Sequence, residues 1–452
     1  MLTCRTNLNP PSEDTKKGAI SMFKNEKLRA IIQFLCLCAG GWSIYQVTYM
    51  RYSYYDAFIE AFSMTNEQFG VLFSVYGTLT IATYFIGGVV ADKISPRKLL
   101  TFSFISTGLL NLWFGTLPGY SMALVIYALL GITSTLTFWA ALIKATRQVG
   151  KVIGEGKALG GLEAGRQLFN MVVGTALVFW FGRFASMTLG LQAIINFYGI
   201  FLIAVGILTF LSFEDEKADA SQENPFKVAK ECLKNKNIWV MSLIILGAYA
   251  VTSSVTGYIS NYSTSVLGIS VAAAAFIGMF QAYFSPLGAL GGGVVADKIG
   301  ISKMLLIGAL GLVATVLLIG YLPAGTGMVV LFLAVFAVFN IFMGVARGLY
   351  YGTMKEAGIP MRLSGTAIGV MATIGYTPDI FLSPIIGRIL DSNAGAPDVA
   401  YKIIFTILAG FGLFCAVMLL VFRRMNKENI AKLDQERKEL KAAKKIQPTE
   451  AA

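Results

Sequence analysis

The sequence predicts an all-α, polytopic membrane protein with twelve transmembrane helices arranged as two six-helix bundles. Three observations lead to this fold class: a strongly apolar composition, regularly recurring apolar segments, and an octapeptide that occurs twice. Of the 452 residues, 56% are hydrophobic and only 14% are charged. Soluble domains carry about 25% charged residues, so the composition argues against an ordinary soluble protein.

The apolar segments give the domain organisation. Each is long enough to cross roughly 30 Å of hydrocarbon as an α-helix. Six precede a polar stretch, 214–236, and six follow it, so we expect an N-terminal bundle at 28–213, a cytoplasmic linker at 214–236 and a C-terminal bundle at 237–424. The polar ends, 1–27 and 425–452, are predicted to be cytoplasmic tails. The segments centre near Cys38, Thr80, Leu109, Leu130, Val172, Val205, Ile245, Ala282, Leu312, Val335, Thr373 and Phe411.

The repeated octapeptide, Gly-Gly-Val-Val-Ala-Asp-Lys-Ile, marks the same place in each half. It occupies residues 87–94 and 292–299, each time at the end of an apolar segment and before a short basic loop. A repeat of this period indicates duplicated halves, an arrangement that secondary transporters use.

Glycine, small apolar residues, Asp-Lys and a basic loop resemble the signature of the major facilitator superfamily between helices 2 and 3. The second copy resembles the weaker signature between helices 8 and 9. The first copy has Ser95 where the family pattern has glycine, whereas the second keeps Gly300. The resemblance spans about residues 28–424 and implies two bundles around a central cavity, with these loops holding the cytoplasmic side shut. The candidate gating residues are Gly88, Asp92, Lys93, Arg97, Gly293, Asp297 and Lys298.

The basic residues of the short loops predict the orientation. Lysine and arginine are concentrated in alternate loops, for example Lys93 and Lys98 in one and Lys298 and Lys303 in another, whereas loops 117–120 and 322–327 carry no charge. By the positive-inside rule, both termini are cytoplasmic in a multi-pass inner or plasma membrane protein. The charge of +12 therefore indicates membrane topology rather than nucleic-acid binding.

Several functions are excluded or disfavoured. The chain has no histidine, so a Ser-His-Asp or Cys-His arrangement is impossible, and no Walker sequence is present. The five cysteines show neither metal-ligand nor disulfide spacing. We expect no enzyme activity, no cofactor and no metal. The expected partners are the lipid bilayer, a small-molecule solute, and a proton or counter-anion, with the protein acting as a monomer.

The first apolar segment contains an arginine among tyrosines, which is typical of an anion site. The candidate ligands are Tyr45, Tyr49, Arg51 and Tyr55; the alternative is a tyrosine belt at the membrane interface. The pattern Tyr-x-x-x-Tyr-x-Arg looks like the organophosphate:phosphate antiporter branch of the superfamily. That branch has a second arginine in helix 7, where this chain has Thr252-Ser253-Ser254.

Other charged and polar residues within apolar segments complete the predicted site, because a charge in the membrane costs at least about 2.5–3.5 kcal/mol. Glu163 and Arg166 are three residues apart on one helix face; they are interpreted either as a structural ion pair or as a proton carrier beside an anion ligand. Asp379 follows Pro378, which should break its helix. We predict Glu163 and Asp379, the acids deepest in the apolar segments, as proton-coupling groups. Further solute ligands are Tyr258, Asn261, Arg347 and Tyr351, although Arg347 could instead lie at the cytoplasmic helix end.

The predicted function is secondary active transport of a small, polar, anionic organic solute by proton-coupled symport or exchange. A sugar acid, sugar phosphate or sulfonated sugar fits the arginines. The alternatives are a neutral sugar or nucleoside permease, a drug efflux antiporter, and a sensor that keeps the transporter fold.

Overall fold

The structure is a computed structural model that describes residues 26–215, 225–360 and 363–446. Within its helices, the side chains of a few residues, including predicted gating residue Asp92, lie outside the description, as does the predicted gating glycine Gly88. The described residues form twelve long helical segments and no β-strand, which confirms the all-α prediction.

Six segments form the N-terminal half. They are α1 (Glu26–Ser43 and Arg51–Phe62), α2 (Asn66–Lys93), α3 (Pro96–Phe114), α4 (Tyr120–Thr133 and Trp139–Ile153), α5 (Glu155–Phe169, Asn170–Gly174 and Thr175–Phe181) and α6 (Met187–Ser212).

Six more form the C-terminal half. They are α7 (Lys236–Ser265), α8 (Val271–Gly278 and Phe280–Ile299), α9 (Ile301–Gly320), α10 (Thr326–Met328, Val329–Leu349, Tyr350–Gly352 and Thr353–Glu356), α11 (Ser364–Gly375 and Pro378–Ser392) and α12 (Pro397–Met425). Two further helices lie outside this set: a linker helix, Pro225–Lys234, and a C-terminal helix, Lys427–Ile446. The linker helix packs against the first part of α11.

By length and hydropathy alone, six segments among the described residues qualify as membrane spans: α6, α7, α8, α9, α10 and α12. Local sequence signals set several helix boundaries. Thr65 and Gln68 form a reciprocal capping box at the start of α2, and proline occupies the first turn of α3 and of α12.

Short connections make neighbouring segments antiparallel, so each bundle has two ends. We call the end at which α2 and α8 finish, near Lys93 and Lys298, the octamer end, and the opposite one the far end. The backbone conformation that follows each octapeptide differs between the two halves. Gly300 has a φ of +104°, which favours glycine, whereas Ser95 has a φ of −61° and needs none. The departure of the first loop from the family pattern therefore causes no backbone strain.

Glycines allow neighbouring helices of a bundle to approach each other closely. A Cβ on Gly288 of α8 would overlap the carbonyl oxygen of Ile341 in α10, and one on Gly344 of α10 would overlap that of Ser285 in α8. Small residues that allow such contact are typical of helix pairs in lipid, where shape complementarity replaces the hydrophobic effect.

Six segments depart from regular α-helix near the middle of the molecule. α1 is interrupted over residues 44–50, α4 over 134–138, α8 at Met279 and α11 at 376–377; α5 contains a π-helical turn at Asn170–Gly174 and α10 a 3₁₀ turn at Tyr350–Gly352. The break before Pro378 is the one that the sequence predicts. Interrupted helices of this kind surround the solute sites of many transporters.

Candidate substrate cavity

A cavity of about 430 Å³ lies between the two bundles, at the level of the helix interruptions. Its volume is within the range of small-molecule sites. Both bundles contribute to its walls, which are mainly aromatic and carry four amide side chains. The aromatic residues include Trp42, Tyr45, Tyr49, Trp139, Tyr249 and Tyr376, and the amides are Gln46, Gln167, Asn170 and Gln281.

Arg166 is the cation that α5 contributes to the cavity. Its Nε donates to the carbonyl oxygen of Gly41 at 2.9 Å, and its Nη1 donates to Oε2 of Glu163 at 2.7 Å. Its guanidinium carbon lies 5.4 Å from the centre of the Trp139 ring. Contacts on three sides therefore fix its position, and its charge is balanced by Glu163.

Glu163 forms the ion pair that its spacing from Arg166 predicts, but it is not deep in the protein. Its side chain is 60% exposed, and its Oε1 accepts from Nε2 of Gln167 at 3.0 Å. The role of Glu163 as a proton-coupling acid stays a prediction. The segment around it, Gly-Gly-Leu-Glu-Ala-Gly-Arg-Gln, is only weakly apolar.

Arg347 of α10 is the second cation in the cavity wall. In the described part of the chain, no carboxylate lies within ion-pairing distance of it, and its guanidinium group donates no hydrogen bond. Tyr351, one turn further along, does not line the cavity; its hydroxyl lies 3.0 Å from that of Tyr376. Arg347 is therefore a partly buried cation that faces the cavity without a directly bound counter-ion.

The other predicted ligands lie behind the cavity wall, where the bundles meet at the far end. Arg51 is 3% exposed; its Nη1 donates to Oγ of Ser383 at 2.8 Å, and its guanidinium carbon lies 3.6 Å above the Phe73 ring. Tyr55 and Tyr258 are buried and their rings are 5.3 Å apart. In this conformation these residues join the two bundles and do not line the cavity.

Asp379 lies between the cavity and this contact region. Its carboxylate accepts from the hydroxyl of Tyr249 at 2.6 Å and from Oγ of Ser253 at 3.0 Å. Tyr249 itself lines the cavity. Ser383, one helical turn after Asp379, accepts the hydrogen bond from Arg51. A short path of contacts thus leads from the cavity wall to the bundle interface.

Hydrogen bonds between described residues of the two bundles lie on the far-end side of the cavity or beside it. Asp56 of α1 accepts from Nδ2 of Asn261 at 2.5 Å and from Oγ1 of Thr264 at 2.6 Å. Asp391 of α11 accepts from the backbone of Asn66 at 3.0 Å and of Glu67 at 2.8 Å, at the start of α2. We call this set of cross-bundle contacts the far-end seal.

Asp391 is a residue of the far-end seal that was not among the predicted site residues. One signal was available, because Asp391 is an acid at the end of an apolar segment on the side where the loops carry little charge.

The described gating candidates at the octamer end form no hydrogen bond or ion pair with described residues of the other bundle. Arg97 donates to the carbonyl oxygen of Phe210 in the same bundle at 2.9 Å. Lys93, Asp297 and Lys298 are exposed, and a Cβ on Gly293 would meet open space. The cavity is therefore closed by side-chain contacts at the far end and not, among described residues, by hydrogen bonds at the octamer end.

Comparisons with known proteins agree with this architecture. The sequence model described as Major Facilitator Superfamily matches residues 34–381. The inner membrane protein YihN of Escherichia coli is 31% identical over 430 residues, which cover 92% of this chain and 99% of YihN. The inner membrane protein YqcE of the same organism is 29% identical over 421 residues, 89% of this chain and 96% of YqcE.

Two solved structures show the same fold at low sequence identity. The nucleoside transporter NupG superimposes with a TM-score of 0.66 and 15% identity, over 88% of this chain and 99% of NupG. A D-xylose-proton symporter gives a TM-score of 0.65 and 14% identity, over 87% of this chain and 96% of the symporter.

Proposed function

Because the chain belongs to the Major Facilitator Superfamily and is a transporter of that family, we propose that it moves a small, polar, anionic organic solute across the inner membrane. Transport is secondary and follows alternating access, by proton-coupled symport or by exchange. A sugar acid, a sulfonated sugar or a sugar phosphate is the solute class that fits the cavity.

The observation that carries this proposal is the guanidinium group of Arg347, which lies in the cavity wall without a directly bound counter-ion. A cation that is partly removed from water and has no such partner is unfavourable, and an anionic solute relieves this cost. Arg166 lines the same cavity from the other bundle, so a solute between the two arginines would contact both halves of the transporter. The amide and aromatic walls suit hydroxyl groups and an apolar ring face, respectively.

Two finer assignments belong to this proposal. With the octamer end on the cytoplasmic side, as the basic loops predict, the far-end seal makes this conformation inward-facing. Asp379 is the proposed proton-coupling group, because it is buried and its partner Tyr249 reaches the cavity. The likeness to the organophosphate:phosphate antiporter branch remains a hypothesis, as does direct solute binding by Arg51.

A binding screen tests the proposal. Purified protein is titrated with sugar acids, sulfonated sugars, sugar phosphates, neutral sugars and nucleosides, and the thermal shift is measured. We expect anions to stabilise the protein and Arg347→Gln to abolish that effect. Arg183→Gln, which removes an exposed arginine outside the cavity, is the matched control. Stabilisation by neutral sugars alone, unchanged in Arg347→Gln, would instead support the neutral permease.

A further inference from the structure

The charges around the cavity are unequal in number. Arg166 and Arg347 are the charged side chains among the described lining residues. Behind the lining, Arg51 and Asp379 lie on facing elements at the far-end side, and Glu163 lies on α5 beside Arg166. Among the described residues, and with the proposed proton-coupling group Asp379 ionised, three arginines accompany two carboxylates, which leaves one positive charge in excess.

The geometry assigns that excess to Arg347. Glu163 binds Arg166 directly at 2.7 Å, whereas Arg347 has no such partner. Arg51 and Asp379 are not in direct contact, but both are buried within the same interface and are of opposite sign. The cavity wall thus holds one cation without a directly bound counter-ion and a second whose counter-ion is already supplied by the protein.

We propose that the site selects a solute with a single negative charge, and that Glu163 sets this selectivity by occupying Arg166. This inference rests on the proposed function and deepens it. A monoanion neutralises Arg347 and leaves the Glu163–Arg166 pair in place. A dianion must either displace Glu163 or remain partly uncompensated in a cavity with low-dielectric walls, and both cost free energy. Singly charged carboxylates and sulfonates are therefore preferred to phosphate monoesters, which carry close to two charges at neutral pH.

The hydrogen bonds of two cavity amides indicate which groups the uncharged part of the solute carries. Gln167 donates its Nε2 to Glu163, which leaves its carbonyl oxygen available to accept. Asn170 accepts from Nε1 of Trp42 at 3.0 Å, which leaves its Nδ2 available to donate. One acceptor and one donor fixed beside Arg166 match the hydroxyl groups of a sugar, each of which both donates and accepts.

The test uses a matched series that differs mainly in charge. Full-length protein in lipid nanodiscs is titrated calorimetrically at pH 7.5 with glucose, glucuronate, glucose 6-sulfate and glucose 6-phosphate, and with the corresponding galactose compounds. In the unmodified protein we expect the two monoanions to bind more tightly than the phosphate, and the neutral sugar to bind most weakly.

Glu163→Gln should then raise the affinity for the phosphate relative to glucuronate by about tenfold, since it adds one net positive charge to the site. Glu60→Gln, an exposed carboxylate outside the cavity, is the control and should leave this ratio unchanged. If the phosphate binds best in the unmodified protein, or if Glu163→Gln leaves the ratio unchanged, the inference is overturned and the proposed function stands. If none of the anions binds, the proposed function fails as well.

Discussion

Two carboxylates in this protein accept hydrogen bonds from the first backbone N–H groups of a helix, but they connect different parts of the molecule. At the far end, Asp391 of α11 binds the start of α2, in the other bundle. At the octamer end, Glu356 of α10 binds the start of α9, in its own bundle; its Oε1 lies 2.8 Å from the backbone nitrogen of Ile301. Both acids use the positive end of a helix dipole.

The two carboxylates differ in burial, and this difference agrees with their locations within a bundle and between bundles. Glu356 is 1% exposed, and Arg437 of the C-terminal helix lies 4.0 Å away, so this contact lies in the interior of one bundle. Asp391 is only half-buried, between two bodies that must separate if the far end is to open. A carboxylate bound to a helix N-terminus therefore stabilises the fold when both groups belong to one bundle. When the two groups belong to different bundles, the same interaction stabilises one conformation.

The largest effect is expected at Gly278, where α8 of one bundle meets α1 of the other in the cavity wall. A Cβ on Gly278 of α8 would overlap the carbonyl oxygen of Tyr52 in α1. Gly278→Ala should therefore prevent the two bundles from meeting as they do here. Overpacking costs about 1–3 kcal/mol, which corresponds to a roughly five- to hundredfold shift in population towards the far-end-open state.

This shift is measured as a longer distance between spin labels at Ser121→Cys and Ala394→Cys, exposed far-end positions in different bundles. Transport in liposomes should fall by a similar factor. Gly291→Ala, on the same helix but with nothing within 4 Å of the added Cβ, is the matched control. Equal distance distributions in the two variants would contradict the structural role of the seal.

The second largest effect should appear in stability and not in conformation. Glu356→Gln removes the charge that binds the backbone nitrogens of Ile301 and Ser302. Hydrogen bonds to a charged group contribute about 1.5–3 kcal/mol, so the melting temperature should fall. The spin-label distance at the far end should remain unchanged. Glu428→Gln, an exposed acid nearby, is the control; a Glu356→Gln variant with unaltered melting and altered distances would reverse our assignment.

The twelve-helix fold follows from signals that are local in the sequence. Segment length and the octapeptide at 87–94 and 292–299 do not depend on how the bundles meet, and they predict the halves. The break before Pro378 is equally local, because proline cannot continue the hydrogen-bonding pattern of a helix. The spacing of Glu163 and Arg166 likewise predicts the ion pair that the structure shows.

The division of the polar residues between cavity and seal could not be predicted in the same way. Arg166 and Arg347 line the cavity, whereas Arg51, Tyr258 and Asn261 contact residues of the other bundle. Both groups are polar residues that face the other bundle, so their sequence patterns are the same. Only the three-dimensional contact between α1, α7 and α11 separates them.

Asp391→Asn should shift conformation by a smaller amount than Gly278→Ala, and in the same direction. An exposed or half-buried charge at a helix N-terminus contributes about 0.3–1 kcal/mol, so the far-end-open population should rise up to about fivefold. The same pair of spin labels measures it, and the melting temperature should change little. Asp398→Asn, which removes an exposed acid paired with Lys402 within α12, is the control. If the two variants gave the same distances, Asp391 would not contribute to the seal.

The smallest effect should come from an ion pair at the octamer end, between α3 and the start of the linker that follows α6. The ammonium group of Lys98 at the start of α3 lies 2.9 Å from Asp215, just after α6, and both side chains are at least 40% exposed. The neighbouring hydroxyl of Ser95 and the charge of Lys98 hold the pKa of Asp215 below its ordinary value. Folding therefore favours the ionised carboxylate. The contribution of the ionised Asp215 carboxylate to the free energy of unfolding is present above the unfolded pKa of about 3.9. It is lost as the pH falls through the lowered pKa of the folded protein.

Solvent screening keeps this contribution small, so Asp215→Asn should lower stability at pH 7 by less than about 0.5 kcal/mol. The difference between the variant and the unmodified protein should shrink further in high salt, because both partners are exposed. Thermal melts at pH 7 and pH 4, with and without added salt, measure both trends. Since Asp215 directly follows the last helix of the bundle that contains Lys98, no domain movement needs to break their contact. The far-end spin-label distances of Asp215→Asn should therefore match those of the unmodified protein. If these distances shifted as much as in Asp391→Asn, a charge would affect the conformation equally whether or not it lies between the two bundles.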